Sequence, residues 1–331
     1  LNLGMGDDYF MYCGAKDPRF VLVAHDLDTV LWQGGHGQID QSIFSVVTGV
    51  GQSGRNGVDG LKRLLSHPDV IPLYYQAFLD LIQDCFNPER LDPLFDQVVG
   101  GFASQNRMTD MKQFVRNRTA AVLAQIPQAI SVTTAPDLQG DLPYTTSSQV
   151  SLAGQAHAAK TRRVTVNGEP AVWSARHATW SADEVRLMPG INRVVIQALG
   201  VDGEEVDRSS IDIWSDTGAM TIKAGGPLLA DEVWTAAAGP YRVTGTITVP
   251  AGRTLTIQAG TTVFLDGDCG FVVQGCLVAQ GSEYARIRLT RRPGTTDTWA
   301  GLRFDHTLQG NCLACVDIEY GDSQGLCTDV Q

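Results

Sequence analysis

The spacing of apolar residues changes twice along this 331-residue chain, and the changes limit the folds that it can adopt. Up to about residue 126, apolar residues recur every three or four positions, as they do on one face of a helix. Residues 131–149 are rich in Thr, Ser, Pro and Gln, which predicts a linker. Short β-rich runs separated by Gly, Pro, Asn and Asp follow. We therefore predict a multidomain protein with regions 1–130, 131–216 and 217–331.

The first region opens with a predicted β-hairpin. Two apolar runs, Tyr9–Tyr12 and Phe20–Ala24, flank a polar turn, and two acids, Asp26 and Asp28, follow the second run. Residues two apart in an extended chain point to the same side, so these carboxylates can face one divalent ion. The alternative interpretation is a solvated strand end whose acids cap the next segment.

Three amphipathic helices are predicted within residues 71–126 from the helical spacing of their apolar side chains. Thr109 is a predicted N-cap of the third helix, and Pro127 ends it. Residues 49–54 match G-x-G-x-x-G, but no βαβ unit surrounds them. We interpret that stretch as a flexible glycine-rich loop and not as a dinucleotide site.

The hairpin and its acids resemble the CotH kinase family, atypical protein kinases of bacterial spore coats and large secreted bacterial proteins. The resemblance covers roughly residues 1–130, as the C-terminal part (C-lobe) of an α+β kinase-like domain. It implies that Asp26 corresponds to the metal-binding Asp of the DFG motif and holds Mg²⁺ against the phosphates of ATP. It also implies that Asp28 is a supporting acid and that Asp8 binds metal where the family usually has Asn.

The chain departs from the family pattern at two further places. His25 stands where Trp is usual, and residues 2–6 contain no acid where the catalytic Asp is expected. The catalytic residue is therefore unknown. By the same resemblance the nucleotide-binding lobe would precede residue 1. We expect a fragment of a longer protein that does not transfer phosphate by itself.

The second region is predicted to be a β-sandwich because it holds several short strands with turn signals between them. Asn167-Gly168 predicts a tight hairpin turn. Residues 187–199 resemble the later strands of bacterial immunoglobulin-like (Ig-like) domains. Tryptophans at strand positions predict core packing, with a sugar-binding platform as the alternative. They are Trp173, Trp180 and Trp214.

The third region contains a stretch, residues 250–263, that resembles the opening turns of right-handed parallel β-helix proteins. A single turn of a β-helix is too thin to hold a core and must stack on neighbouring turns. We therefore expect an incomplete parallel β-helix that continues in the full protein. Its charged residues lack the spacing of a polysaccharide lyase site and are predicted to be solvated strand ends. They are Asp266, Asp268, Arg286, Arg288 and Asp305.

Seven cysteines are scattered along the chain, and an odd number leaves at least one unpaired. Cys312 and Cys315 form a single C-x-x-C pair, whereas structural zinc normally needs two tight ligand pairs. Buried thiols and a disulfide both remain compatible with the sequence.

Composition limits the partners of the chain. Its net charge of −11 argues against a nucleic-acid partner, and no apolar run is long enough for a membrane span. The resemblances imply an extracellular or cell-envelope protein of bacteria whose partner is a protein substrate or a cell-surface component. The expected function is a CotH-like kinase in the intact parent protein. The alternative is a structural or adhesive surface protein with a degenerate kinase-like domain.

Overall fold

The structure, a computed structural model, describes residues 9–16, 19–24, 31, 38–45, 59–307 and 310–322. Within these residues the chain is mostly β-sheet, with few helices and several parallel sheets. The longer helices all precede residue 124, and strands prevail from Ser131 onward. The change from helix to strand therefore follows the change in apolar spacing.

The first two strands, β1 (Tyr9–Cys13) and β2 (Phe20–Ala24), form an antiparallel hairpin. Tyr9 pairs with Ala24 at the open end, and Cys13 pairs with Phe20 near the turn. The predicted hairpin is thus confirmed, with a first strand one residue longer than the apolar run.

Within the residues that the structure describes, four α-helices longer than one turn follow the hairpin. They are α1 (Asp59–Leu64), α2 (Ile71–Asp84), α3 (Pro88–Val98) and α4 (Gln105–Leu123). The side chain of Asn87 accepts a hydrogen bond from the Arg90 amide at 2.9 Å, and Pro88 occupies the first helical position of α3. Both are typical of a helix start, because they satisfy or remove an amide that lacks a partner within the helix.

Helix α4 begins earlier than predicted. Its N-cap is Ser104, whose hydroxyl accepts a hydrogen bond from the Arg107 amide at 3.4 Å. The predicted cap, Thr109, instead lies within the first turns, and its hydroxyl donates to the Gln105 carbonyl at 2.9 Å. The prediction was wrong because a polar stretch with helical dihedrals precedes the first apolar residues of the helix.

The helices pack through their apolar faces in two clusters. One contains Phe95, Met108 and Val115, and the other joins Ile71 and Tyr75 of α2 to residues after α4. In the part of the chain that the structure describes, no helix is both long and apolar enough to cross a bilayer.

Residues 131–215 form two sheets, which we call the sandwich. The four-stranded sheet has the order β3 (Ser131–Thr134), β6 (Gln149–Gln155), β10 (Thr179–Arg186) and β9 (Val172–Ser174). The six-stranded sheet has the order β4 (Leu138–Gln139), β5 (Leu142–Thr145), β12 (Glu205–Ser215), β11 (Gly190–Leu199), β7 (Arg163–Val166) and β8 (Glu169–Pro170). Residues 131–149, predicted as a linker, therefore already contribute strands to both sheets.

Side chains from both sheets share one core. Leu152 and Trp180 of the first sheet pack with Ile196 and Ile213 of the second, and all four are buried. The indole nitrogen of Trp180 donates to the Gln155 carbonyl at 3.1 Å, so burial leaves no unpaired donor there. Core packing is thereby confirmed for this tryptophan.

The predicted turn at Asn167-Gly168 joins β7 to β8. Val166 pairs with Glu169 across it, which leaves a two-residue loop. Asn167 and Gly168 have φ values of 50° and 81°, the left-handed region that Asn and Gly tolerate best. The turn prediction is confirmed.

Residues 221–318 wind through three parallel sheets, which together with the adjoining residues 319–322 we call the coil. Sheet I contains β13 (Thr221–Lys223), β16 (Tyr241–Val243), β19 (Thr262–Leu265), β22 (Ile287–Thr290) and β25 (Val316–Ile318). Sheet II contains β14 (Gly226–Pro227), β17 (Ile247–Val249), β20 (Gly270–Val273) and β23 (Gly301–Phe304). Sheet III contains β15 (Glu232–Trp234), β18 (Thr254–Gln258), β21 (Cys276–Gln280) and β24 (Cys312–Ala314).

Each round of the coil adds one strand to each sheet, and each strand pairs in parallel with the strand one round later. Inward-facing side chains therefore stack in columns, such as Leu255 on Leu277 and Ile257 on Ala279. All four are buried, so the coil has a continuous apolar core that runs along its length.

Candidate functional site

The predicted metal ligands, Asp8, Asp26 and Asp28, lie outside the described residues. The glycine-rich stretch 49–54 lies outside them as well. Among the residues that the structure does describe, no group of three or more His, Cys, Asp or Glu side chains could hold a metal ion. The metal site predicted from the hairpin thus stays a prediction.

The cysteines that can be placed are free thiols. Cys312 begins β24, and Cys315 follows that strand with a φ of 50°; neither is in a disulfide. Cys85, Cys269 and Cys276 are also free. Burial raises the pKa of the Cys269 thiol, which keeps it protonated and unreactive at neutral pH.

The most elaborate arrangement of side chains lies where the six-stranded sheet of the sandwich meets sheet I of the coil, a contact that we call the junction. Its apolar part joins Ile191 and Trp214 of the sandwich to Phe264 of the coil. Phe264 lies between two core residues of the coil, Val263 and Leu265, and so points outward, yet it is 1% exposed. The sandwich therefore covers the outer face of sheet I.

A charged layer adjoins this apolar contact. Arg193 of β11 binds Asp212 of β12 through two hydrogen bonds of 3.0 Å, and its guanidinium lies 3.4 Å from Asp317 of the coil. Arg286 binds the same Asp317 through two hydrogen bonds, of 2.9 and 2.7 Å. Fork-shaped pairs of this kind hold both partners in one orientation.

Arg288 lies at the centre of the charged layer. Its side chain is 3% exposed and donates to Glu319 of the coil at 2.5 Å and to Asp212 of the sandwich. Its Nε atom also lies 3.4 Å from Asp317. One buried cation thus binds carboxylates from both parts of the molecule, and removing it would leave three acids without their shared partner.

Asp317 of the junction is held ionised. Burial alone would raise the pKa of Asp317, but the hydrogen bonds from Arg286 and the charges of Arg288 and Arg193 lower that pKa below its usual value. The hydrogen bond to Asp212 raises the pKa of Arg193, and the bond to Asp317 does the same for the pKa of Arg286. The ion pair between Arg286 and Asp317 therefore favours the charged form of both partners.

Backbone contacts bring the two parts close together. The Thr262 hydroxyl accepts a hydrogen bond from the Ile191 amide at 3.0 Å. A Cβ on Gly190, whose φ is 109°, would lie 2.5 Å from the Thr262 side chain. Glycine is required there by both the approach and the dihedral angle.

A second group of polar contacts lies farther along β11. Tyr284 of the coil donates to the Gln197 side chain at 2.8 Å, and its ring covers Gly168 of the sandwich turn. Glu283 accepts a hydrogen bond from Arg208 at 2.6 Å. The junction thus extends from Gly190 to the opposite end of the strand.

The sequence prediction for the charged residues of the coil was wrong at two positions. Arg286 and Arg288 were expected at solvated strand ends, but they bind the partly buried acids Asp317 and Asp212 at the junction. The sequence contains no signal for this, because β22 reads IRLT and alternates apolar and polar residues as a strand with one solvated face does. All four residues are nevertheless buried, because the sandwich covers the polar face.

Comparisons with known proteins identify no relative by sequence, since no family model and no curated protein match. Two solved structures share a limited likeness. The crystal structure of the S-layer protein rSbsC(31-844) has a TM-score of 0.21 at 14% identity, covering 53% of this chain and 26% of that one. The structure of surface layer protein SbsC, domains 1-6, has a TM-score of 0.20 at 14% identity, covering 52% and 26%. The chain spans about a quarter of each, and neither match assigns its fold or its function.

Proposed function

We propose that this chain belongs to a secreted or cell-envelope bacterial surface protein, in which the sandwich and the coil form one stiff stalk. In this proposal the sandwich is an Ig-like spacer, and the coil is the beginning of a right-handed parallel β-helix. The role is structural or adhesive, and the partner is a cell-surface component.

The observation that carries the proposal is the buried Arg288 and its acids. Linkers between independently moving domains are exposed and polar, and few contacts cross them. Here a cation that is 3% exposed binds Asp212 of the sandwich and Glu319 of the coil, and Phe264 fills an apolar contact beside it. A relative motion of the two parts would expose Phe264 and separate the buried Arg288 from Asp212, which is costly.

The experiment is a measurement of residual dipolar couplings on the 331-residue chain. If the two parts form one rigid body, amides of the sandwich and of the coil fit a single alignment tensor. Replacing Arg288 with Ala should give two different tensors, whereas the exposed control Arg303→Ala should not. Two tensors in the unaltered chain would contradict the stalk.

A second function, Mg²⁺ and ATP binding by a CotH-like domain in the intact parent, is proposed from the hairpin. Tyr9 pairs with Ala24 at the open end of the hairpin. In the sequence Asp8 directly precedes Tyr9, and Asp26 and Asp28 follow Ala24 by two and four residues. Mg²⁺ prefers such hard oxygen ligands. In the parent protein the substrate would be another protein.

This second proposal can be tested by calorimetric titration of Mg²⁺, with and without ATP, into the parent protein and its variants. We expect Asp26→Ala to abolish metal-dependent nucleotide binding. Asp17→Ala changes an acid that lies between the two strands in the sequence and should leave binding unaltered. Equal binding by the Asp26→Ala variant would remove the site assignment without affecting the stalk.

A further inference from the structure

The first round of the coil, formed by β13, β14 and β15, carries charges where the later rounds carry core residues. Lys223 of β13 pairs with Val243 of the next round, and Glu232 of β15 pairs with Leu255. Paired residues of neighbouring parallel strands point to the same side of the sheet, and Val243 and Leu255 are both fully buried in the coil core. A lysine and a glutamate therefore point inward at the first end of the coil.

These two charges form a layer over a pair of stacked aromatic rings. The Lys223 ammonium lies 2.6 Å from a carboxylate oxygen of Glu232, and the same oxygen accepts a hydrogen bond from the Trp234 indole nitrogen at 2.8 Å. The Trp234 ring stacks on Tyr241, with ring centres 4.8 Å apart. Burial alone would raise the pKa of Glu232, but the hydrogen bonds from Lys223 and Trp234 lower that pKa below its usual value. Both charged side chains keep contact with water, since they are 26% and 33% exposed.

The remaining strand of the first round, β14, lacks a donor at its open edge. The amides of Gly226 and Leu228 donate to carbonyls at β17, at 2.8 and 2.9 Å. Successive residues of a strand turn their backbone groups to opposite sides, so Pro227 faces the open edge, where it has no amide hydrogen to donate. Inward-pointing charges and prolines on edge strands both hinder the pairing of an open edge with another chain.

The last round, formed by β23, β24 and β25, has apolar side chains at its inward positions. Leu313 of β24 is 41% exposed, although its partner one round earlier, Ala279, is fully buried. Phe304 and Ile318 are partly buried and extend two further columns of the core. Such a surface can continue the columns of another apolar round. Stacking it on Lys223 and Glu232 would instead strip water from both charges, which is costly.

We propose that the first round is a cap, which prevents a second copy of this chain from stacking its last round on it. The ion pair of Lys223 and Glu232 opposes the loss of water, and Pro227 removes a backbone donor from the edge. The contact that the cap prevents would join two different surfaces, and contacts of that kind add copy after copy without closing. This inference does not rest on the stalk, because the described contacts of the junction involve none of the cap residues.

The test removes the two charges and measures association of the 331-residue chain by sedimentation velocity. Lys223→Val with Glu232→Leu gives the first round the residues that the second round has at the paired positions. At about 100 μM we expect a weight-average mass at least about twice that of the unaltered chain, with species larger than a dimer. The control, Lys112→Val with Asp96→Leu, removes an ion pair of 2.7 Å between α4 and α3 and should not change the mass.

Further substitutions separate stacking from unspecific aggregation. Adding Leu313→Glu to the double variant charges the last round and should return the mass to that of the unaltered chain. If circular dichroism shows that the double variant is misfolded, Lys223→Met with Glu232→Gln removes both charges but keeps an acceptor for the Trp234 indole, and it should associate as well. A folded variant with unchanged mass, oligomers that persist after Leu313→Glu, or the same oligomers in the unaltered chain would overturn the proposal.

Discussion

Sheet I and sheet III of the coil have the same parallel geometry but different outer faces. In β18 of sheet III, buried Leu255 and Ile257 alternate with partly exposed residues. In β19 and β22 of sheet I, all eight residues are buried. The backbone does not cause this difference, because the strands of both sheets pair in parallel with the strand one turn later. The difference arises because the sandwich covers sheet I, and it shows that a covered face can be charged where every charge has a partner.

The largest loss of stability is expected from Arg288→Ala, which removes the central cation from the covered face of sheet I. The substitution leaves Asp212, Asp317 and Glu319 without their shared cation, and loss of one partner from a buried ion pair typically costs about 3–5 kcal/mol. Urea unfolding measures the change in the free energy of unfolding. Arg303→Ala is the matched control on sheet II, where an arginine side chain 61% exposed should matter by less than about 0.5 kcal/mol. Equal effects of the two substitutions would refute the special role of the covered face.

Gly190→Ala tests the close approach of the two parts. The added Cβ would lie 2.5 Å from Thr262, and overpacking of this kind typically costs about 1–3 kcal/mol. Gly252→Ala is a suitable control, because its φ is also positive, at 75°, but nothing lies within 4 Å of its Cβ. Thermal unfolding of both variants separates the cost of the dihedral angle from the cost of the contact. A larger loss at Gly252 would contradict the close packing at Gly190.

Lowering the pH should weaken the ion pairs of Asp317 at the junction. The pKa of Asp317 is lower in the folded protein than in the unfolded chain, so its ion pairs stabilise the fold fully above the unfolded value. That stability is lost as the pH falls below about 4 and through the folded pKa. Urea midpoints measured from pH 7 to pH 2.5 should fall more steeply for the unaltered chain than for Asp317→Asn. Parallel profiles would show that Asp317 is not linked to stability.

Glu283→Gln should have the smallest effect. Its ion pair with Arg208 also crosses the junction, but both side chains are more than 40% exposed. Exposed pairs contribute only about 0.2–1 kcal/mol and are screened by salt. The difference in urea midpoint from the unaltered chain should disappear in 1 M NaCl. An effect as large as that of Arg288→Ala would show that burial does not determine the strength of these pairs.

Local patterns predicted the local structure well. The two-residue turn at Asn167-Gly168 could be predicted because only residues that tolerate positive φ fit there. The hairpin of β1 and β2 followed from its two apolar runs. The helix start at Ser104 was missed because a polar first turn lacks the apolar spacing by which helices are recognised.

Contacts between distant segments could not be predicted in the same way. Arg288 binds Asp212 across 76 positions of the chain, and no local motif marks either residue as a partner of the other. The strands within residues 131–149 were missed for a related reason, since the short strands β3 and β5 pair with segments farther along the chain. Asp8, Asp26 and Asp28 remain predictions from the hairpin and the family resemblance.

The position of Arg288 also has a consequence for how the coil acquires its register. In β22, Arg288 points toward the sandwich, whereas Ile287 and Leu289 on either side are buried in the coil core. A slip of β22 by one residue would reverse every side chain, placing a guanidinium in an apolar interior. It would also turn an aliphatic side chain toward Asp212 and Asp317. The sandwich can therefore pack only on a coil whose strands are paired in the correct register. Packing of the sandwich thus disfavours a coil in which β22 has slipped by one residue.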